Sequence, residues 1–260
     1  MPFVENQGVR YFTFESLPSE KLTHAVIARK GGVSPEPWDS LNVGGTVGDE
    51  RPRVLENRLR SFRALGRDPH SLFDVWQVHS ADVILANAPH NFAPPELKAD
   101  AIITDNPEVT LFMRFADCTP ILLYDPIKSA IGIIHAGWLG TIRRVAEAAV
   151  NSMEAAFGSR PVDILAGIGP SIGPDHYEIG PDVIARIHEA FHADSDKLLV
   201  RHGDRTHFDL WEANRLLLAQ AGLRQIEISG LCTACHPEDW YSHRAQKGRT
   251  GRFGGLIALK

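Results

Sequence analysis

One hairpin-like stretch constrains the fold of this chain more than any other. Residues 120–124 (PILLY) and 130–134 (AIGII) are short apolar runs, and the DPIK between them is typical of a turn. A turn centred on Pro126 and Ile127 places Cys118 directly opposite His135 at the open end of the hairpin. Directly opposed residues have Cβ atoms roughly 4.5–5.5 Å apart, close enough to share a metal ion or a proton.

His79 occurs in the same kind of setting as Cys118 and His135. Each of the three stands at or near the end of an apolar strand, beside small or polar residues. Zinc binds cysteine sulfur and histidine nitrogen, and three protein ligands leave a fourth position for water or substrate. The alternative is that Cys118 is a small buried apolar side chain, because the spacing of the three residues matches no local zinc signature. The residues alone leave both interpretations open.

Composition argues against several classes of function. The chain has 260 residues, 43% hydrophobic and 23% charged, as in an ordinary soluble globular protein with a substantial core. A net charge of −5 and scattered basic residues argue against a nucleic-acid surface and a polybasic membrane anchor. No apolar run reaches the roughly 18 residues of a membrane span, and the N-terminus lacks a signal-peptide pattern. An odd number of cysteines, three, favours a reducing cytoplasm over a disulfide framework.

The order of the predicted elements indicates an α+β fold in one domain, residues 1–260. Patterning predicts further strands at 24–29, 73–79, 101–104, 110–115, 162–166, 225–229 and 254–259, and helices at 51–65, 140–158, 181–191 and 210–221. We expect strands 101–104 and 110–115 to pair around the turn at DNP (105–107). We expect residues 82–86 to pair with strand 73–79 or to continue it. Residues 86–98 are expected to form a loop. Strands dominate before residue 140 and helices interleave later, so we expect mixed sheets with helices outside them, and neither a Rossmann nor a barrel fold.

Three further motifs carry weaker information. CTACH (232–236) fits the pattern for covalent haem attachment, but that modification requires export and the chain shows no signal-peptide pattern. A redox pair and half of a structural zinc site are alternatives. We expect the two cysteines to be a structural or accidental pair. GIGPSIG (167–173) departs from the dinucleotide-binding spacing and is interpreted as a shaped loop. The basic segment 241–252 is either a phosphate-binding loop or a solvated turn.

Motifs spread over nearly the whole chain resemble one known family. They are RKGGVS (29–34), SLNVG (40–44), VGD (47–49), NR (57–58), QVHS (77–80), ADCTP (116–120), HAGW (135–138), GPSIG (169–173), CT (232–233) and TGR (250–252). The family is the YfiH-like, or multicopper polyphenol oxidase (laccase-domain), family, whose members include purine nucleoside phosphorylases.

The resemblance implies a four-layer α/β/β/α sandwich with mixed β-sheets and a zinc ion on His79, Cys118 and His135. It implies phosphorolysis of adenosine, guanosine, inosine and 5′-methylthioadenosine to free base and ribose 1-phosphate, with adenosine deamination as a second activity. It also implies a role in keeping peptidoglycan precursors correct in some bacteria. The chain departs from the family at Leu139, where arginine is common, and in YSHR (241–244), where Phe-Ser-Tyr-Arg is usual. If the family's arginine helps to bind phosphate, we expect phosphorolysis either to be weaker in this chain or to use Arg143, Arg144 or Arg244 instead.

We expect Cys118, His79, His135 and Asp117 to be the catalytic residues, with Asp117 orienting a ligand or moving a proton. Asn42, Arg58 and Arg244 are expected to hold phosphate or sugar. The expected partners are a purine nucleoside and phosphate, with no nucleic acid or membrane. The protein is expected to be a cytoplasmic monomer or weak homodimer.

Alternative functions remain open at this point. A copper laccase needs His-x-His pairs, and none of the 12 histidines forms one, so copper is less favoured than zinc. A thiol hydrolase or amidase acting on a peptidoglycan precursor would use Cys118 as nucleophile and His79 or His135 as base. The third alternative is a non-catalytic zinc or interaction protein.

Overall fold

The computed structural model describes residues 3–90 and 96–260. Its strands, in chain order, are β1 (Phe3–Asn6), β2 (Val9–Phe12), β3 (Leu22–Ile27), β4 (Leu72–Phe73), β5 (Val83–Leu85), β6 (Ala101–Thr104), β7 (Thr110–Phe115), β8 (Thr119–Asp125), β9 (Ala130–Ala136), β10 (Leu165–Ile168), β11 (Leu199–His202), β12 (Arg205–Phe208), β13 (Gln225–Ile228) and β14 (Phe253–Leu259). Its α-helices are α1 (Arg51–Ala64), α2 (Trp138–Ile142), α3 (Val145–Phe157), α4 (Pro181–Phe191), α5 (Ser195–Leu198) and α6 (Leu210–Gln220). Short 3-10 helices lie at Pro69–Ser71, Pro161–Asp163 and His192–Asp194. Within these described ranges, no helix combines the length and apolarity that a membrane crossing requires.

Most strands belong to two six-stranded sheets. The first has the order β1-β2-β3-β14-β7-β4, and the second has the order β13-β10-β8-β9-β6-β5. Both sheets mix antiparallel and parallel pairs, since β4 runs parallel to β7, β5 to β6 and β10 to β13. Strands β11 and β12 form a separate antiparallel pair. The mixed sheets together with the helices confirm the predicted α+β class.

The two sheets share one apolar core. Buried residues of β3, β7 and β14 cluster with buried residues of β8 and β9 from the second sheet. Side chains of the second sheet also pack on α3, α4 and α6, and side chains of the first sheet pack on α1 through Phe62. Helix α3 presents Val145, Ala149 and Met153 at helical spacing, which gives it one apolar face. The second sheet is therefore covered on both faces, which explains why β8 and β9 are buried along their whole length.

Strands β6 and β7 have the predicted bounds but do not pair with each other. Strand β6 pairs with β5 and β9 in the second sheet, whereas β7 pairs with β4 and β14 in the first. The turn between them carries the chain from one sheet to the other. The predicted local pair is wrong because a turn signal marks a change of direction and not the identity of the partner strand.

The predicted helix from Gly140 to Gly158 is two helices. Helix α2 begins at Trp138, and the left-handed Arg144 (φ 63°) separates it from α3. Helix α3 ends at Phe157, and the C-cap residue that follows, Gly158, is also left-handed, as is usual for glycine at a helix C-terminus. Helix α2 starts directly after Gly137, so it follows His135 in the chain by only two residues.

The predicted strand at residues 73–79 is shorter in the structure. Strand β4 covers Leu72–Phe73, and Trp76 makes an isolated bridge with Lys98. Strand β5 pairs with β6 and neither continues nor pairs with β4. The chain turns instead, and His79 takes a left-handed conformation (φ 58°). Of the predicted loop 86–98, residues 91–95 lie outside the described residues.

The hairpin of β8 and β9 is present, but its register differs from the prediction. Pro120, and not Cys118, pairs with His135. The Asp125 carboxylate accepts hydrogen bonds from the backbone N–H groups of Ile127 and Lys128, and Asp125 itself pairs with Ala130. The loop therefore comprises residues 126–129, and the register moves by two residues. Because side chains alternate with a period of two, this shift leaves each side chain on its predicted face, with Cys118 diagonal to His135.

Candidate metal centre and active site

Three side chains from separate parts of the chain converge at one end of the second sheet. His135 lies on β9, Cys118 immediately precedes β8, and His79 lies in the turn after β4. A ring nitrogen of each histidine and the Cys118 Sγ all lie within 4.8 Å of one another. His79 Nε2 is 3.8 Å from Cys118 Sγ, and the two imidazole centroids are 5.0 Å apart. His79 is the solvent-exposed member, whereas His135 is buried.

Asp100, which sequence reasoning missed, organises this cluster. Its fully buried Oδ1 accepts a hydrogen bond from His135 Nδ1 at 2.8 Å. A carboxylate only accepts, so His135 carries a proton on Nδ1 and presents Nε2 to the cluster. Asp100 Oδ2 accepts from the backbone N–H groups of Val78 and Ser80, on either side of His79. The signal that could have found Asp100 is its position directly before a buried apolar strand, since a buried carboxylate needs partners.

We expect Asp100→Asn to weaken metal binding about 10- to 100-fold, the usual effect of removing a hydrogen-bond partner of a metal-binding histidine. The amide lacks the charge that orients His135 and the turn of His79. The dissociation constant is measured by competition with a chelator. The control is Asp125→Asn, because Asp125 serves the hairpin loop. Equal affinity in Asp100→Asn and the wild type would contradict this assignment.

In the metal-free protein, Cys118 and His135 are a coupled acid–base pair. Burial alone would raise the pKa of Cys118, but His135 and then His79 outweigh it and lower that pKa to about 6. Burial likewise opposes the imidazolium, but Cys118 and Asp100 outweigh it and raise the pKa of His135 to about 9. At neutral pH the pair is therefore thiolate and imidazolium, and the thiolate is the form in which cysteine binds metal.

Alkylation of the metal-free protein tests this charge state. Because the pKa of Cys118 is lowered, its thiolate is present above about pH 6, so its iodoacetamide rate should rise between about pH 5 and 7 and then level off. Cys235 is the internal control: desolvation, with Asp175 and Cys232 beside it, raises the pKa of this exposed thiol to about 12. Mass spectrometry of the modified peptides follows both sites. A Cys118 rate that still climbs above pH 8 would contradict the paired state.

Gly137 lies against the cluster. Continuing the hairpin register by one step places it opposite Cys118. A Cβ added at Gly137 would lie 2.7 Å from Cys118 Sγ and 3.1 Å from His79 Cδ2. Optimal contacts between carbon atoms are about 3.5–4.0 Å, so glycine is needed here for space.

Both carboxylate oxygens of Asp117 are engaged inside the protein. Oδ1 accepts from Thr233 Oγ1 at 2.7 Å, and Oδ2 accepts from the backbone N–H of Arg244 at 2.6 Å. Asp117 is itself left-handed (φ 80°), and its carbonyl accepts from Ile172 N at 3.0 Å. Asp117 directly precedes Cys118 in the chain. It is therefore held by three other loop segments, those of Thr233, Arg244 and Ile172.

Arg244 is exposed beside this junction. Its Nη1 donates to the carbonyl of Glu178 at 2.8 Å, and its guanidinium carbon lies 5.2 Å from the centroid of the Tyr177 ring. Burial raises the pKa of Tyr177, and the Cys118 charge raises it further. Arg244 and Tyr177 thus form one wall near the thiol.

Asn42 and Arg58 are buried behind the site. The Asn42 Oδ1 accepts from the backbone N–H groups of Gly44 and Arg252. Arg58 Nε donates to the carbonyl of Val43, and Arg58 is 8% exposed. The structure therefore places both side chains in contacts within the protein, around the backbone of Arg252.

Arg252 is a candidate binding residue that the predicted roles omitted. Its Nη1 donates to the carbonyl of Gly251 at 2.8 Å, while Nε and Nη2 have no hydrogen-bond partner among residues 3–90 and 96–260. Burial lowers the pKa of Arg252, whereas the charges of Cys118 and Asp117 raise it. Its guanidinium is therefore within electrostatic range of Cys118 and Asp117. The TGR motif was the signal that could have found it.

The segment after His135 contains Leu139 and two of the arginines that were predicted to bind phosphate, Arg143 and Arg144. Leu139 is half-buried on α2. Arg143 Nη1 donates to the carbonyl of His79 at 2.8 Å and so supports the turn that carries His79. Arg144 instead pairs with Glu147 and Gln220. Arg143 is thus next to the cluster, and Arg144 is occupied on the helices.

Comparison with known proteins gives consistent matches. The family described as multi-copper polyphenol oxidoreductase laccase matches residues 23–260. A protein named purine nucleoside phosphorylase from Deinococcus radiodurans is 40% identical over 242 residues, 93% of this chain and 91% of that one. Purine nucleoside phosphorylase YfiH of Escherichia coli is 36% identical over 235 residues, 89% of this chain and 91% of that one.

A solved structure agrees with this fold. The crystal structure of the Bacillus licheniformis hypothetical protein YfiH has a TM-score of 0.92 and 34% identity, and the match covers 100% of this chain and 99% of that one. Sequence motifs, family match and fold therefore point the same way. The chain belongs to the multi-copper polyphenol oxidoreductase laccase family, together with YfiH and other relatives that are named purine nucleoside phosphorylases.

Proposed function

We propose that the protein is a zinc-dependent purine nucleoside phosphorylase. Its substrates are adenosine, guanosine, inosine and 5′-methylthioadenosine with phosphate, and it also deaminates adenosine by hydrolysis. The observation that carries the proposal is the cluster of His79, Cys118 and His135, whose ligand atoms lie within 4.8 Å of one another. The names of the relatives in D. radiodurans and E. coli support the reaction.

The donor atoms of the cluster fit zinc. Zinc bonds of about 2.3 Å to sulfur and 2.0–2.1 Å to nitrogen put these two atoms about 3.6 Å apart in a tetrahedral site. The separation of Cys118 Sγ and His79 Nε2 is 3.8 Å. The hydrogen bond from His135 to Asp100 is the arrangement that usually supports a histidine bound to zinc. When bound, the metal supplies a Lewis acid that stabilises negative charge on an oxygen of the substrate.

Arg252 is proposed to bind phosphate. Phosphorolysis requires a phosphate oxygen held against the anomeric carbon of the ribose while the bond from that carbon to the base breaks. A guanidinium with free N–H groups suits phosphate oxygens. The backbone of Arg252 donates a hydrogen bond to Asn42 Oδ1 and accepts one from Val43 N. Arg58 Nε in turn donates to the Val43 carbonyl. We therefore propose that Asn42 and Arg58 position Arg252 rather than touch phosphate or sugar.

Arg244 is proposed to bind the sugar or a second phosphate oxygen. Asp117 fixes the backbone of Arg244 and the side chain of Thr233. Because both carboxylate oxygens of Asp117 already accept hydrogen bonds, we assign it a positioning role.

We expect Arg252→Gln to raise the KM for phosphate roughly 10- to 100-fold, since a charge-assisted hydrogen bond contributes about 1.5–3 kcal/mol. The deamination of adenosine, which uses no phosphate, should change much less. Steady-state kinetics at varied phosphate measures the split. The matched control is Arg249→Gln, an exposed arginine of the same segment. An unchanged KM for phosphate in Arg252→Gln would exclude this role.

The proposed reaction is tested by incubating the metal-loaded protein with adenosine, with and without phosphate, and separating the products by chromatography. Adenine should appear only when phosphate is present, and inosine should appear in both samples. Absence of both products would contradict the proposed function.

A thiol hydrolase or amidase is the second candidate, and one observation favours it. In the metal-free protein, Asp100, His135 and Cys118 form an acid–base–nucleophile series with a lowered Cys118 pKa. A peptidoglycan precursor is the substrate that this alternative would take. The position of His79 favours the metal site, because a thiol hydrolase has no use for a second imidazole against the sulfur.

The remaining expectations stay predictions. We propose that the two sheets and their flanking helices form a four-layer α/β/β/α sandwich in one domain. We also propose that the protein acts in the cytoplasm as a monomer or weak homodimer, and that zinc rather than copper is its metal.

A further inference from the structure

A second cluster of metal-binding side chains lies in two loops that the proposed reaction does not use. Asp175 and His176 follow GPSIG, and Cys232 and Cys235 follow β13. One ligand atom from each of the four lies within 4.8 Å of the others. None of the four belongs to the cluster of His79, Cys118 and His135. A zinc site needs more ligands than the two cysteines of the CxxC pair. Asp175 and His176, about 60 residues earlier in the chain, lie where such ligands would be needed.

Three of the four separations given below are close to those of a tetrahedral zinc site, and the fourth, between Asp175 Oδ2 and Cys235 Sγ, is about 0.5 Å shorter. Standard zinc bond lengths put sulfur about 3.6 Å from nitrogen or oxygen ligands, and nitrogen about 3.3 Å from oxygen. His176 Nδ1 lies 3.7 Å from Cys232 Sγ and 3.5 Å from Cys235 Sγ. The Asp175 Oδ2 lies 3.1 Å from both Cys235 Sγ and His176 Nδ1. The four atoms are therefore already arranged as the corners of one small polyhedron.

The fold holds the two loops in place at this point. Ser171 and Cys232 form a parallel bridge, and Thr233 N donates to the Ser171 carbonyl at 3.0 Å. The backbone N–H of Gly173 donates to Cys232 Sγ at 3.2 Å. This hydrogen bond fixes the Cys232 sulfur against the loop that leads into Asp175 and His176. Cys232 is buried, whereas Asp175, His176 and Cys235 are exposed, so an ion can enter from solvent.

We propose that Asp175, His176, Cys232 and Cys235 bind a structural zinc ion. Two thiolates with an imidazole favour zinc over magnesium or calcium, which prefer oxygen ligands. Four protein ligands close the tetrahedron and leave no position for substrate, which is the arrangement of a structural site. His236, the last residue of the CxxCH pattern, bonds Glu238 and is outside the cluster.

The proposed ion would brace one wall of the first metal centre. The loop of Asp175 begins at Ile172, which donates to the Asp117 carbonyl, and continues into Tyr177, beneath Arg244. The other loop contributes Thr233 to the Asp117 carboxylate. Loss of this ion should therefore loosen the wall that precedes Cys118 while leaving the ligands of the first centre intact.

Metal content tests the proposal without reference to the proposed reaction. Protein purified under reducing conditions and loaded with zinc should hold two equivalents per chain by mass spectrometry of the metal. Cys118→Ser and Cys235→Ser should each hold one, and the double variant should hold none. His236→Ala, the adjacent exposed histidine, is the control and should keep both. A wild-type value of one that falls to none in Cys118→Ser would overturn the proposal, as would two equivalents in Cys235→Ser.

If Cys235→Ser does not fold, the absorption spectrum of bound cobalt provides a second test of the site. In the Cys118→Ser background, added Co²⁺ should produce thiolate-to-cobalt charge-transfer absorption, about twice as intense as in a protein whose site has one thiolate. Asp175→Asn in that background should keep the band but bind cobalt more weakly. No charge-transfer band in folded Cys118→Ser, or a Cys232–Cys235 disulfide in the zinc-loaded protein, would exclude the site.

Discussion

Cys118→Ser should remove the metal from the first centre and lower phosphate-dependent release of adenine by more than about 100-fold. Loss of an outer hydrogen-bond partner already costs about 10- to 100-fold, and a hydroxyl is a much poorer zinc ligand than a thiolate. Cys118 is also the residue whose lowered pKa makes it a ready ligand at neutral pH. The measurements are kcat/KM for adenosine at saturating phosphate and the metal content of the same sample.

His79→Ala separates the metal mechanism from the thiol hydrolase. If His79 is a metal ligand, His79→Ala should lower the metal content and kcat/KM nearly as much as Cys118→Ser does. In a thiol hydrolase built on Cys118, His135 and Asp100, the exposed His79 would be secondary. Strong loss in Cys118→Ser together with near wild-type turnover in His79→Ala would favour Cys118 acting as a nucleophile and contradict the metal mechanism.

Gly137→Ala should damage the same centre by a single added methyl group. The new Cβ would lie 2.7 Å from Cys118 Sγ and 3.1 Å from His79 Cδ2, so at least one ligand must move. A misplacement of about 1 Å can cost about 100-fold in rate, and we expect a loss of that order with the fold retained. Activity, metal affinity and thermal unfolding are measured on the same preparation.

Gly140→Ala is the matched control for Gly137→Ala. Its added Cβ would meet atoms no closer than 3.4 Å, and the position is helical, where alanine is favoured over glycine. Gly140→Ala should therefore retain activity and metal. If Gly137→Ala behaved the same way, the close approach of this backbone to the cluster would not be required.

Much of the local structure could be predicted from the sequence because its causes are local. Helix α4 has the predicted bounds, since Pro181 suits its first turn and apolar residues repeat at helical spacing. The hairpin of β8 and β9 was predicted, but its register depends on how Asp125 bonds the loop backbone. Strands β6 and β7 have the predicted bounds but the wrong partner, because partner choice depends on the packing of both sheets.

The site shows the same division. His79, Cys118 and His135 could be named from strand ends and from the family resemblance. Asp100 and Arg252 could not be assigned roles, because their contacts come from elements distant in the chain. The pair Cys232 and Cys235 looked incomplete for the same reason: its partner residues come from another loop. Residue type indicates which chemistry is available, but only tertiary contacts show which residues share it.

Removal and return of the metal test the central claim most directly. Phosphate-dependent release of adenine from adenosine is measured before chelation, after chelation, and after zinc is restored to the same sample. The proposed mechanism predicts that release stops when the metal is removed and returns with added zinc. Full release of adenine by protein shown to contain no metal would contradict it.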